Sequence, residues 1–200
     1  MRVWEWVYYL LDSDQLAQYE ATYDPASEHI GRTRGAESNV EMFGFYIRNN
    51  IGVAFRTFAT GIVLTLGSLF FLVFNGIFFG VIAGHLTQIG YSDTFWTFVI
   101  AHASFEITAI ILAGAAGIKL GFSVLAPAQL SRLESLKRSA QEVVPVLYGM
   151  TGMLVIAAFI EAFWSSDSIM TPTVKYSVGG LLWAIVIAYF LLSGRHRELR

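Results

Sequence analysis

Cysteine is absent from this sequence, which excludes disulfides, thiol nucleophiles and thiolate metal sites together. Charge is scarce too: Asp, Glu, Lys and Arg make up 14% of the 200 residues, against about 25% in soluble domains. The net charge of −2 comes with no basic face, which argues against a nucleic-acid partner. Soluble-type catalytic signatures are missing as well: there is no G-x-S-x-G, H-E-x-x-H, phosphate-binding loop or dinucleotide fingerprint. The start, MRVWEWVYYLLDSD, makes a poor signal peptide, because its apolar run is short, holds Glu5 and leads to no small-residue cleavage site.

What remains is hydrophobicity, at 55% of residues and gathered in long runs. Four stretches, about 57–84, 94–121, 143–164 and 174–194, are long enough to cross a hydrocarbon core of about 30 Å, which needs roughly 20 helical residues. The runs are continuous rather than alternating, so helices fit and barrel strands do not. The expected fold is all-α: a polytopic bundle of four transmembrane helices with an N-terminal cytoplasmic and interfacial helical region. Arg2, Arg32, Arg34, Arg48 and Arg56 precede the first run, while Lys119, Arg132, Lys137 and Arg138 follow the second. Arg195, Arg197 and Arg200 follow the fourth, whereas 85–93 and 165–173 contain no Lys or Arg. The positive-inside rule then predicts a multi-pass inner (cytoplasmic) membrane protein with both termini in the cytoplasm. The cytoplasmic parts would be region 1–39, a loop 122–142 and a tail 195–200.

Outside the spans, Asp12 or Ser13 is placed to cap a short helix ending before Pro25. Residues 40–56 put Val40, Phe43, Ile47, Ile51, Ala54 and Phe55 on one helical side. An apolar stripe with cationic edges reads as an interfacial helix on the inner leaflet, or alternatively as a cytosolic helix packed on the middle loop. In that loop Leu130, Leu133 and Leu136 mark a further amphipathic helix whose basic residues face water or anionic lipid.

Small residues suggest where helices meet. Gly76, Gly80 and Gly84 recur every four residues, and Gly114, Gly117 and Gly121 offer a matching surface in the second span. Such spacing supports tight crossings within one bundle or between copies in a homo-oligomer.

The polar residues inside the spans are the candidate site. At 1.5 Å per residue, Asn75 lies about 14 Å below the outer end of the first span, His102 about 12 Å deep and Glu106 about 18 Å. His102, Glu106, Ala109, Ala113 and Gly117 form one stripe at three- and four-residue steps, expected to face the bundle interior with Asn75 as partner. Near the outer ends, Glu161 and Lys175 are spaced for an ion pair. Two readings of the Asn75, His102 and Glu106 cluster stay open: structural hydrogen bonding between helices, or a polar pocket or proton path. A His and a Glu with no third ligand and no nucleophile in register do not make a metal site or an acid–base catalyst, so neither metal, cofactor nor catalytic residue is expected.

The blocks FGFYIRNNIGVAFRTFATGI, GSLFFLVFNGIFFG and AHASFEITAIILAGAAGIKLG resemble the membrane domain of the stage II sporulation protein M family, over roughly residues 40–194. The third block is similar to that family's His-Gly-x-x-Glu element, with Ala103 where many relatives have Gly. The resemblance marks Asn49, Asn50, Asn75, Gly76, His102 and Glu106, with Arg48 and Arg56 in the same first block. It implies a non-enzymatic membrane protein that scaffolds or anchors an envelope-associated complex, since the namesake anchors a peptidoglycan-degrading complex during engulfment. Most relatives belong to organisms that do not sporulate and are often encoded near a MoxR-type ATPase. The partners expected are the lipid bilayer, other membrane or envelope proteins and a second copy of the chain. The alternative is an oligomeric channel or transporter subunit with Asn75, His102 and Glu106 lining its path.

Overall fold

The computed structural model describes residues 6–26, 36–167 and 169–193. Arg2, Arg32, Arg34 and the tail 195–200 lie outside the described residues. Among those described, every regular element is helical: α1 (Val7–Leu10), α2 (Ser13–Tyr23), α3 (Ala36–Ala59), a 3₁₀ turn (Thr60–Ile62), α4 (Leu66–Gln88), α5 (Ser92–Leu125), α6 (Arg132–Phe159), a π-helical turn (Ile160–Ser165) and α7 (Pro172–Leu192). Four helices are long and apolar enough to cross a membrane: α4, α5, α6 with its π turn, and α7.

Local chemistry sets the starts of these helices. Asp12 caps α2 as expected: its Oδ1 accepts from the Gln15 amide at 2.8 Å, and the Gln15 side chain accepts from the Asp12 amide at 3.2 Å. Ser131 and Glu134 form the same reciprocal box at the start of α6. That start corrects the expected loop 122–142. Only residues 126–131 connect α5 and α6, and the amphipathic stretch after them is the first part of α6 itself. Pro145 lies inside this helix, where a span edge was expected at 143. A proline within a membrane helix is tolerated when neighbouring helices support the broken turn.

The first span is also shorter than expected, because the chain reverses at 60–65. Leu64 and Thr65 take left-handed φ values of 52° and 68°. Each such residue costs roughly 1–2 kcal/mol. The turn is held by hydrogen bonds from Thr65 N to Gly61 O (2.9 Å) and from Leu66 N to Val63 O (3.1 Å).

Helix α3 departs most from expectation. The apolar stripe at 40–56 is present, but the helix lies lengthwise in the bundle rather than flat across its end. Met42, Phe43, Tyr46 and Ile47 pack on Ala158 and Ala162 of α6 and its π turn. One to three turns on, Ile51, Ala54 and Phe58 join Ala109, Ala113, Met150 and Leu154. The buried line Tyr46, Asn50, Ala54 and Thr57 therefore faces protein, with Arg48, Asn49 and Arg56 exposed. α3 thus runs antiparallel to α6, from the Ser165 end to the Gly121 end.

This path separates the two ends of the chain. Val7 and Leu11 share a core with Val81, Leu86, Phe95 and Phe98, at the end where α4 stops and α5 starts. α7 leaves that end: Lys175 meets Ser165, Trp183 Nε1 donates to Ile100 O at 3.1 Å, and Tyr189 and Phe190 lie beside Leu112 and Pro145. Helices α1 and α2 and the last turn of α7 therefore sit at opposite ends of the bundle.

Helix α5 touches α3, α4, α6 and α7. Its inner half works by close approach. A Cβ built on Gly121 would overlap the Gly61 carbonyl, one on Gly117 would overlap Ser68 Oγ and approach Phe58 O, and one on Gly114 would overlap Leu72. Ser68 Oγ donates to the Thr57 carbonyl at 2.6 Å across this contact. Gly76 and Gly80 meet nothing within 4 Å, so no crossing within this chain forms on them; Gly84 is half-buried. Gly121→Leu is expected to lower stability by at least about 2 kcal/mol through overpacking, read as a fall in the Tm of detergent-solubilised protein. Gly80→Ala should leave the Tm unchanged.

Candidate functional site

At the other half of α5 the stripe turns polar. His102 and Glu106 stand one helical turn apart, with His102 Nε2 at 4.0 Å from Glu106 Oε2. The third member is Glu161, from the π turn that ends α6: one imidazole nitrogen and one oxygen of each carboxylate all lie within 4.8 Å of one another. A π turn inserts an extra residue into the helical spiral, so side chains after it are re-aimed, and such turns recur at functional sites. Here it brings Ser165, fully buried, to His102, with Nδ1 and Oγ 3.2 Å apart. The Ser165 carbonyl in turn accepts from Lys175 Nζ at 2.8 Å.

These contacts redistribute the expected site. Asn75 does not join His102; its Nδ2 donates to Phe71 O of its own helix at 2.7 Å. Glu161 faces His102 and Glu106, while the ammonium of Lys175, 2% exposed, goes to the Ser165 carbonyl. The expected Glu161–Lys175 pairing gives way because the π turn points the Glu161 carboxylate toward α5. Of the residues marked in the first block, Asn50 alone is buried, on the α3 face that packs into the bundle; Asn49 Nδ2 donates to its Oδ1 at 3.0 Å.

Above the cluster, α2 and α3 enclose a pocket of about 380 Å³ lined by Gln15, Gln18, Thr22, Tyr23, Asn49 and Glu161, among others. Tyr23 stacks edge-on against Phe95 and Phe98, with ring centroids 5.1 and 5.7 Å apart, and Phe98 meets the His102 ring the same way at 5.4 Å. Burial first, and the Glu161 carboxylate second, raise the pKa of the Tyr23 phenol above the ordinary tyrosine value, so it remains a neutral hydroxyl. Helix α2 is clipped over this pocket by Glu20 and His85, 2.7 Å apart, and by the Thr94 hydroxyl donating to the Tyr23 carbonyl. Glu161 was singled out only as a partner for Lys175, and Tyr23, Ser165, Glu20 and His85 were not legible as site residues, since no local pattern links them.

A model of the family described as stage II sporulation protein M matches residues 3–166, more than half of the chain. The chain belongs to the stage II sporulation protein M family. No curated protein and no solved structure matches it. Family membership identifies a membrane protein, and the match covers the N-terminal helices, α3 and the whole His102–Glu106–Glu161 cluster.

The lack of native cysteine makes proximity directly testable. The double variant E106C/E161C is expected to be bridged by Hg²⁺ or a short bifunctional maleimide, seen as a mass shift. N75C/H102C should stay unbridged. The reverse pattern would disprove the assignment of Glu161 to the cluster.

Proposed function

We propose that this chain is a non-enzymatic anchor in the cytoplasmic membrane, holding envelope-associated partners through the helical cap formed by α1 and α2. The observation that carries this reading is how firmly the cap is built onto the bundle while presenting a partner surface. Val7 is fully buried, and the Glu20–His85 and Tyr23–Thr94 contacts fix α2, yet Trp6, Tyr8 and Tyr9 are 50%, 60% and 72% exposed. Aromatic side chains held on a fixed scaffold bury much area at low entropic cost when a partner docks.

Orientation follows from charge. Lys119, Arg132, Lys137 and Arg138 gather at the end away from the cap, where Lys119 and Arg138 both meet Glu142, at 2.8 and 3.3 Å. The positive-inside rule assigns that end to the cytoplasm and the cap to the far side. Helix α3, at 24 residues, rises about 36 Å and is a fifth traverse of the membrane in this arrangement. Within one chain, Gly114, Gly117 and Gly121 are closed by Leu72, Phe58 and Gly61, which favours anchoring over a path along this face of α5.

Single-cysteine variants Y9C and A128C, in sealed vesicles of defined orientation, are expected to react with a membrane-impermeant maleimide from opposite sides. Labelling from one side would overturn the orientation. A photo-crosslinking residue at position 9 in native membranes is expected to give discrete protein adducts, while the same residue at position 73 on lipid-facing α4 gives lipid adducts. Lipid adducts alone at position 9 would remove the anchoring role.

A further inference from the structure

We propose that His102, Glu106 and Glu161 form a binding site for one divalent transition-metal cation of the zinc and manganese class, reached through the pocket beneath α2. The donor set is one imidazole and two carboxylates on two helices, with their ligand atoms within 4.8 Å of one another. Tetrahedral zinc, at about 2.1 Å from each ligand, sets neighbouring ligand atoms about 3.4 Å apart, so side-chain shifts of about 1 Å close the site. Three protein ligands leave a fourth position for water or another ligand, directed to the pocket that Glu161 lines.

Four further features fit a metal rather than a proton-sharing network. His102 Nδ1 is taken up by Ser165 Oγ at 3.2 Å, which orients the ring and leaves Nε2 toward Glu106. A metal-ligating histidine has its second nitrogen engaged in this way. Two carboxylates so close inside an apolar bundle repel and lose hydration, and a dication offsets both. The positive charge already nearby, Lys175, donates to the Ser165 carbonyl instead of entering the ligand cluster. Finally, Asn50 Nδ2 on α3 is buried without a hydrogen-bond partner among the described residues. It sits one turn from Tyr46, which shares a core with Ala162 next to Glu161, and one turn from Ala54, which shares a core with Ala109 one turn from Glu106. An orphan donor there suits a metal-bound water or hydroxide.

The test uses the full-length chain in lipid nanodiscs, stripped with chelator and equilibrated with Zn²⁺ or Mn²⁺, with bound metal counted by mass spectrometry. One equivalent is expected, with a raised Tm. H102Q, E106Q and E161Q should each bind at least about tenfold more weakly, and N75A, whose side chain bonds within its own helix, should bind as the parent does. Should the glutamine variants fail to fold, Co²⁺ in the parent chain still decides. A visible d–d spectrum and X-ray absorption with one imidazole and carboxylate oxygens support the site. A folded parent chain that takes up neither metal overturns it, as does binding that all three glutamine substitutions leave unchanged.

Discussion

The structure depends on enclosing one helix. Helix α5 is surrounded by α3, α4, α6 and α7, and lipid offers no hydrophobic drive to press them together. Dispersion contacts at very short range must do so. Gly114, Gly117 and Gly121 remove the side chains that would hold the neighbours off, so the reversal between α3 and α4 can lie directly on the α5 backbone. The left-handed Leu64 and Thr65 are tolerable because that contact and the Ser68–Thr57 hydrogen bond over-determine the turn.

The same enclosure governs the polar half of α5. A side chain such as His102, 5% exposed, is withdrawn from bulk solvent and is answered by protein. The answer comes from the end of α6, where a π turn presents Glu161 and Ser165 together, and Ser165 links onward to Lys175 of α7. Three helices are thereby joined through polar contacts at one level, beneath a cap whose own attachment uses a second His–Glu pair, His85 and Glu20. Packing and chemistry are divided along one helix, with close-packed glycines at one end and His102 and Glu106 at the other.

Helix α3 ties these halves together and shows why its sequence misled. A stripe of apolar residues every three or four positions states only that one face is buried; it is silent on whether membrane surface or neighbouring helices bury it. The tyrosine, asparagine, alanine and threonine at 46, 50, 54 and 57 form the face that contacts protein, and their mixed polarity suits a bundle interior better than acyl chains. Likewise Gly76 and Gly80 have the spacing of a packing motif but face open space, because spacing defines a face and not its neighbour.

By itself the sequence determined the helical class, the four apolar runs, the Asp12 cap and the pairing of His102 with Glu106, all consequences of composition and of the 3.6-residue period. Tertiary structure alone decided that α3 runs the length of the bundle, that Glu161 rather than Asn75 completes the cluster, and that the cap and the end of α7 lie at opposite ends. The physical reason is common to all three. Helical periodicity fixes which residues share a face, whereas the partner of that face is chosen by crossings between helices and by one π turn, which no local pattern encodes.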